Sequence, residues 1–320
     1  MKSIVFTSAF FTLLFSFNGC AQKELDHIAF YNVENLFDTL DTPQKNDEEF
    51  LPEGKNHWNT PKYQEKLNHI SKVYEELGKP VVMGFCEIEN RAVVDDIVNT
   101  AGLNGKYAVI HRESLDNRGI DNAMIYDSTR LFLEDSGILR FNMPEGSGPS
   151  RDILWAKFNK NGSVFFVMVN HWPSRSGGQV ETEPKRLIAA QAAEKFIDSL
   201  MGIDKNSKIV FMGDLNDTPE NMAPKMISSK LQPMIIKESG EFQGSHNYRG
   251  EWDILDHIMV SKGALKGSGV KVKKKSGKIH SPDYLLSEYK GNTVPFRTYG
   301  GGKYLGGYSD HLPVSIDVKL

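Results

Sequence analysis

Ile209-Val-Phe-Met-Gly-Asp-Leu-Asn-Asp217 is an apolar run that breaks abruptly into a glycine and three polar side chains set around one leucine. A short run rich in Ile, Val and Phe suits a strand buried on both faces. Gly213 lets the chain turn sharply where that strand stops, and Asp214 and Asn216, two residues apart, project from the same side. A carboxylate so placed can orient an attacking water, and an asparagine NH₂ can donate to an oxygen that gains charge as a bond breaks. The plainer alternative is a polar turn that closes a strand. A calcium-binding loop is excluded, because Pro219 and Lys225 stand where such a loop requires Gly and Glu.

The same grammar recurs in Ile28-Ala-Phe-Tyr-Asn32, Val81-Val-Met-Gly-Phe-Cys-Glu87 and Val164-Phe-Phe-Val-Met-Val-Asn-His171. Four such strands imply a layered sandwich with helices outside, and their polar ends would gather at one rim. Between them, Tyr63, Leu67, Ile70, Tyr74 and Leu77 recur at helical spacing, and residues 187–200 form a second, Ala-rich amphipathic stretch. Pro61 and Pro184 are expected at helix starts, and a shorter helix is expected over residues 93–101. Val314, Ile316 and Val318 alternate with polar residues, the mark of a half-buried strand. Residues 38–54, 142–150 and 290–308 read as surface loops, and the five lysines of residues 271–278 as a solvated hairpin. None of these is a clean linker, so residues 20–320 are expected to form one domain.

The chain has 320 residues, 39% of them apolar and 25% charged, which suits a soluble globular body with room for one large core. A net charge of −3 decides nothing about nucleic acid, since a local basic stripe can sit on a mildly acidic protein. Lys2, the apolar residues 4–17 and Asn18-Gly19-Cys20-Ala21 resemble a bacterial lipoprotein signal. That reading makes residues 1–19 a signal peptide and Cys20 the lipidated residue; a simple cleaved secretory signal is the alternative. Either way the protein is expected to be exported, to the periplasm or cell surface; in the lipoprotein reading it meets the membrane only through a lipid on Cys20. Cys86 is then the one remaining cysteine, so no intramolecular disulfide can form, and its place at the end of an apolar run suits a small core residue.

Four further segments carry ionisable groups where apolar strands begin or end. Ser309-Asp310-His311-Leu312-Pro313 sets a carboxylate beside an imidazole before the last strand. Leu255-Asp256-His257-Ile258-Met259-Val260 places an acid in an apolar run, where it needs a partner if buried, and a histidine is the natural one. Such a pair fixes the imidazole tautomer and raises its basicity. Glu87 closes its strand alone, and Asn170-His171-Trp172-Pro173-Ser174-Arg175 closes another. Each is ambiguous by itself.

In order and approximate spacing these segments together resemble the endonuclease/exonuclease/phosphatase superfamily, the deoxyribonuclease-I-like fold, over nearly all of the mature chain. The resemblance implies an α+β architecture, a four-layered α/β/β/α sandwich of two packed, mostly antiparallel sheets flanked by helices. Its opening motif is similar to Phe30-Tyr31-Asn32-Val33-Glu34-Asn35, which gives Asn32 a share in holding metal or phosphate. By the same resemblance Glu87 is the main metal ligand, with Asn32 and Asp310 as further ligands, and His171 and Asn216 contact the scissile phosphate. Asp214 positions the water, and His311, oriented by Asp256, is the general base. Mg²⁺ is the implied cofactor, with Mn²⁺ or Ca²⁺ as substitutes; it prefers oxygen ligands and retains waters. No covalent intermediate is required, since no Gly-x-Ser-x-Gly elbow is present.

Having both His171 and His311 places the chain nearer the deoxyribonuclease, sphingomyelinase and phosphoinositide-phosphatase branches than the abasic-site endonucleases. Asn216-Asp217-Thr218 and Leu255-Asp256-His257 depart from the inositol 5-phosphatase motifs. Asp214-Leu-Asn-Asp-Thr-Pro219 and His171-Trp-Pro-Ser-Arg175 look more like bacterial secreted members labelled nuclease-like, so the resemblance implies a nuclease acting on DNA or RNA. A phosphomonoesterase, a phospholipid or sphingomyelin head-group phosphodiesterase, and a non-catalytic binding lipoprotein are the alternatives. Arg118 is an added candidate for phosphate binding, against a plain pairing with Asp116 or Asp121. Arg151, Arg175 and Arg186 are weaker candidates for a basic rim. Tyr248, Trp252 and Tyr299 would serve either as stacking platforms or as packing residues. A monomer is expected.

Overall fold

The computed structural model describes residues 25–320, so the signal segment and Cys20 lie outside the described residues. The strands are β1 (Asp26–Leu36), β2 (Val82–Ile88), β3 (Tyr107–His111), β4 (Asp121–Asp127), β5 (Phe132–Leu139), β6 (Ile153–Lys160), β7 (Ser163–His171), β8 (Ile209–Asp214), β9 (Gln232–Pro233), β10 (His246–Tyr248), β11 (Glu251–Asp253), β12 (Asp256–Val260), β13 (Lys271–Val272), β14 (Lys278–Ile279), β15 (Leu286–Tyr289), β16 (Asn292–Pro295), β17 (Tyr299–Gly300), β18 (Lys303–Tyr304) and β19 (Val314–Lys319). The helices are α1 (Thr60–Glu76), α2 (Arg91–Thr100), α3 (Gln179–Ile203), α4 (Met222–Ser228) and α5 (Lys262–Leu265).

One sheet runs β13-β19-β1-β2-β4-β3, with β14 also on β19; the other runs β5-β6-β7-β8-β12-β9. Every neighbouring pair is antiparallel except β1/β2 and β7/β8, one parallel pair at the middle of each sheet. The period of two along the second sheet sorts its side chains into two cores. Val167, Val169, Val210, Met212 and Ile258 face the first sheet, whereas Met168, Ile209, Phe211 and Met259 pack beneath α3 and α4. Helices α1 and α2 cover the far side of the first sheet through Leu67, Ile70, Val73, Val93 and Ile97. The result is the expected α+β sandwich of two mostly antiparallel sheets between helical layers. At Gly84 the two sheets come so close that a Cβ would lie 2.7 Å from both Met212 Cε and Val169 Cγ2.

Helix starts follow local chemistry. Asn59 accepts from the Lys62 N–H with Pro61 in the first turn, and Asn90 accepts from the Val93 N–H. Pro184, however, lies inside α3. An additional turn precedes it, held because the buried Arg186 donates to the Gln179 carbonyl (2.7 Å) and the Thr182 hydroxyl (2.7 Å). Residues 271–278 are likewise no hairpin: β13 and β14 each pair with β19 and not with one another, so the lysines ride on an interrupted edge strand, where charge discourages further pairing. Residues 290–308 contain β16 and the β17/β18 hairpin, and Thr298 among them is buried. In residues 38–54 Phe50 stacks on Phe37 at 4.2 Å and Asp47 is buried, so that segment is partly core.

Candidate active site

The ends of both parallel pairs open on one cleft. Asn32 and Glu87 come from β1 and β2, His171 and Asp214 from β7 and β8, and the register sets His171 beside Asp214 and Asp256 opposite it. The backbone at these ends is unusual. Gly213 has φ 152°, and a Cβ there would lie 2.2 Å from the Asn170 carbonyl oxygen, so the close approach of β7 and β8 leaves space for glycine alone. Glu87 (φ 62°) and Asn216 (φ 51°) are left-handed, which turns each side chain away from its strand's pleat. Glu34 and Asn35 are left-handed as well (φ 52° each) and form the irregularity that shifts the β1/β2 register between Asn32 and Leu36.

The side chains converge. His171 Nε2 is 3.8 Å from Glu87 Oε1 and 3.7 Å from Asp214 Oδ2, and His311 Nε2 is 3.8 Å from that same Asp214 oxygen. These gaps exceed a hydrogen bond, so the groups face one shared space. The Asn32 NH₂ donates to Glu87 Oε1 (3.3 Å) and Asp214 Oδ2 (3.1 Å), while its carbonyl oxygen accepts from the Glu34 N–H (3.0 Å). Asn32 thus braces the two carboxylates. Glu87 Oε2 accepts from the Asn35 N–H at 2.8 Å. Asn216 closes the strand end on itself: its N–H donates to Asp214 Oδ1 (2.8 Å) and its NH₂ to the Trp172 carbonyl (3.1 Å). Asp256 is buried and bonds His311 Nδ1 at 2.7 Å, leaving Nε2 aimed at the cleft. The neighbouring His257 turns the other way, onto the Asp217 carbonyl.

Charge is unevenly balanced here. Burial disfavours a cationic His311, but the carboxylates of Asp256, Asp214 and Asp310 outweigh it and hold its pKa well above the ordinary imidazole value. Asp214 is pushed up to about 7 by burial, against the pull of His311 and with the help of the Asp256 charge. Burial, reinforced by the cations of Arg151 and Arg118, sets His171 well below its ordinary value, so it is a neutral ring. Burial and the Asp214 and Glu87 charges keep the Cys86 thiol protonated.

Arg118 is half exposed with Nε 3.5 Å from Asp116 Oδ1; the buried Arg151 shares that carboxylate at 3.2 Å and donates to the Trp172 carbonyl at 2.6 Å. Arg175 donates to the Asn216 carbonyl (2.7 Å) and to Asp253 (3.1 Å), whereas Arg186 is fully buried against Asp217 at 2.8 Å. Trp252 stacks on Phe242, and Tyr299 packs on Trp58 and Tyr304. Tyr248 stands exposed on the β10/β11 hairpin.

Three features escape a reading of motifs. Ser245 donates to Asp256 Oδ2 (2.6 Å), the oxygen that holds His311, and its carbonyl accepts from the Leu312 N–H (2.7 Å). His246 lies against the His311 ring, 4.7 Å between centroids, with its pKa lowered to about 4 by burial and by the His311 charge. Arg297 bridges Glu34 (3.2 Å) and Asp310 (2.9 Å), and behind it the buried Lys66 bonds Thr298 and the Tyr308 carbonyl. Only Glu34 carried any signal, through its place in Asn32-Val33-Glu34.

The donor set fits a hard divalent cation. Glu87 and Asp214 are oxygen donors in one cleft, and no Lys or Arg among the described residues forms an ion pair with either. Asp310 is already held by Arg297.

The family model described as "Endonuclease/Exonuclease/phosphatase family" matches residues 27–320. No curated protein is significantly similar in sequence. Among solved structures, a mannosyl-6-phosphatase of Bacteroides thetaiotaomicron superposes with a TM-score of 0.58 at 15% identity, over 92% of this chain and 100% of that one. The human nocturnin catalytic domain with bound sulfate gives 0.59 at 15% identity over 92% and 94%. D. rerio TDP2 complexed with a single-strand DNA product gives 0.57 at 15% identity over 92% and 99%. At such identities the likeness is one of fold.

Proposed function

The chain belongs to the endonuclease/exonuclease/phosphatase family, a family of phosphate ester hydrolases, and from that premise we propose that it is a Mg²⁺-dependent phosphodiesterase that cuts DNA or RNA outside the cytoplasm. The observation that carries the reading is His311, backed by Asp256 at 2.7 Å and facing Asp214 across 3.8 Å. A water beside that pair, within reach of both, can be oriented by Asp214 and lose its proton to His311 Nε2 as its oxygen meets phosphorus opposite the leaving group. Asp256 holds the imidazole tautomer and offsets the positive charge that the ring gains. His171 would donate to a phosphoryl oxygen, as would Asn216 once its NH₂ leaves the Trp172 carbonyl, and Arg118 is the candidate for the flanking phosphate. Glu87, with Asp214 and Asn32 beside it, would hold the metal, which supplies charge neutralisation at the phosphate when bound.

The structural likeness to a mannosyl-6-phosphatase supports a second reading, hydrolysis of phosphomonoesters. Incubation of the purified chain with Mg²⁺ and a panel of DNA, RNA, sugar phosphates and sphingomyelin tests both. Shortened polymer supports the nuclease; inorganic phosphate from sugar phosphates with polymers intact moves the assignment to a phosphatase. The lipid anchor is a separate proposal. Labelled fatty acid should enter the wild-type chain and fail to enter Cys20→Ala.

A further inference from the structure

Cys86 sits one residue before Glu87 on β2, pairing with Asn32 of β1 on one side and Asn122 of β4 on the other. Its sulfur, a ring nitrogen of His171 and a carboxylate oxygen of Asp214 all lie within 4.8 Å of one another. All three residues are buried. One sheet therefore contributes a thiol, and the other an imidazole and a carboxylate, across the floor of the cleft. His171 Nδ1 is moreover buried without a hydrogen-bond partner, and Nε2 has only the 3.7–3.8 Å approaches to Asp214 and Glu87. A buried imidazole left unsatisfied is costly, and ligation is one way such a ring is used.

Sulfur, nitrogen and oxygen together are the donors of Zn²⁺ and Cd²⁺, whereas Mg²⁺ takes oxygen alone. We propose that Cys86, His171 and Asp214 form a binding site for a thiophilic divalent cation, Zn²⁺ or Cd²⁺, and that filling it switches the hydrolase off. On binding, the Cys86 S–H bond breaks, its proton passes to bulk water, and the sulfur–metal bond forms. Asp214 and His171 then serve the cation, so the water loses its orienting carboxylate and the phosphate loses a donor. The fourth position falls to Glu87 or to water. The inhibitory half of the proposal rests on the function proposed above; the binding half does not.

Co²⁺ is the probe, because a cobalt–thiolate bond gives a near-ultraviolet charge-transfer band that oxygen and nitrogen ligands do not. The metal-stripped mature chain should show that band with Co²⁺, lose it on adding Zn²⁺, and lack it altogether in Cys86→Ser. By calorimetry Zn²⁺ should bind Cys86→Ser at least about tenfold more weakly than wild type. Circular dichroism checks that the variant is folded, with Cys86→Ala as the second variant. No thiolate band in wild type, or equal Zn²⁺ affinity in folded variants, overturns the site. If polymers and small esters all remain intact while the band is present, the function fails and the site stands. Hydrolysis that Zn²⁺ inhibits equally in wild type and Cys86→Ser removes the inhibitory role alone.

Discussion

At the scale of single residues, His311 depends on what surrounds it. Its Nδ1 is committed to Asp256 and its Nε2 faces Asp214, so it can accept a proton only toward the cleft. His311→Ala should lower kcat by about 10²–10⁴ and leave the far-ultraviolet spectrum unchanged; unchanged turnover would remove the residue from the role of base. Asp256→Asn tests the charge behind it. The carboxylates raise the His311 pKa, so losing one should lower turnover and move the acid limb of kcat/KM to lower pH, read from the rate profile. Two residues beyond Glu87, Glu89 is buried and pushed up to about 7, chiefly by burial and then by the charges of Asp38 and Asp47. A carboxyl raised from 4.5 to about 7 favours the folded state in its protonated form. That contribution is complete below 4.5 and is lost as pH rises toward 7. Glu89→Gln can keep both of its contacts, to the Asp38 N–H and the Thr42 hydroxyl. It should therefore stabilise the protein by about 1–3 kcal/mol at pH above 7, a gain that fades in acid melts.

At the scale of elements, two glycines divide by what their missing side chains would meet. A Cβ on Gly213 would strike the Asn170 backbone, which cannot move without breaking the β7/β8 pairing. Gly213→Ala should cost more than about 3 kcal/mol and displace Asp214 as well. A Cβ on Gly84 would meet Met212 and Val169 side chains, the former a flexible tip, so Gly84→Ala should cost about 1–2 kcal/mol. Chemical denaturation ranks the two, and a reversed order would sink the argument. The same distinction explains what could be read from sequence. The four long central strands showed themselves because burial on both faces demands unbroken apolar runs, and their polar ends mark the cleft directly. Short strands have no such signature: β13, β14 and β16 to β18 are two to four residues each, and the sequence reads the first two as a solvated hairpin and the others as a surface loop. Pro184 signalled a helix start, but the bonds from Arg186 that build a turn ahead of it come from residues whose contacts no periodicity reveals. Ser245, Arg297 and Lys66 were hidden for the same reason, since a lone polar residue declares its role only through partners distant in sequence.

At the scale of the molecule, the cleft is drawn half from each sheet, yet the cations around it are nearly all committed. Arg118 and Arg151 share Asp116, Arg175 pairs with Asp253, and Arg297 pairs with Glu34 and Asp310. The lysines of β13 and β14 lie on the edge of the first sheet, where Lys271 pairs with Lys319 and Lys278 with Ser315, which in turn lies opposite Ala29 of β1. Among the described residues, the arginines beside the cleft therefore leave no long track of free positive charge there. Proteins that neutralise six to ten phosphates lose affinity steeply with salt, the slope tracking the number of ions released. Here the half-exposed Arg118 is tied to Asp116 only at 3.5 Å, so about one or two phosphate contacts are expected. The logarithm of kcat/KM for a single-stranded oligonucleotide should therefore fall against the logarithm of salt concentration with a slope of only about 1–2. Neutralising Arg118 should flatten that slope further without changing which sequences are cut. A slope several times larger would reveal an extended basic surface, and with it a substrate held far beyond the scissile phosphate; a shallow one marks an enzyme that grips its ester close to the point of cleavage.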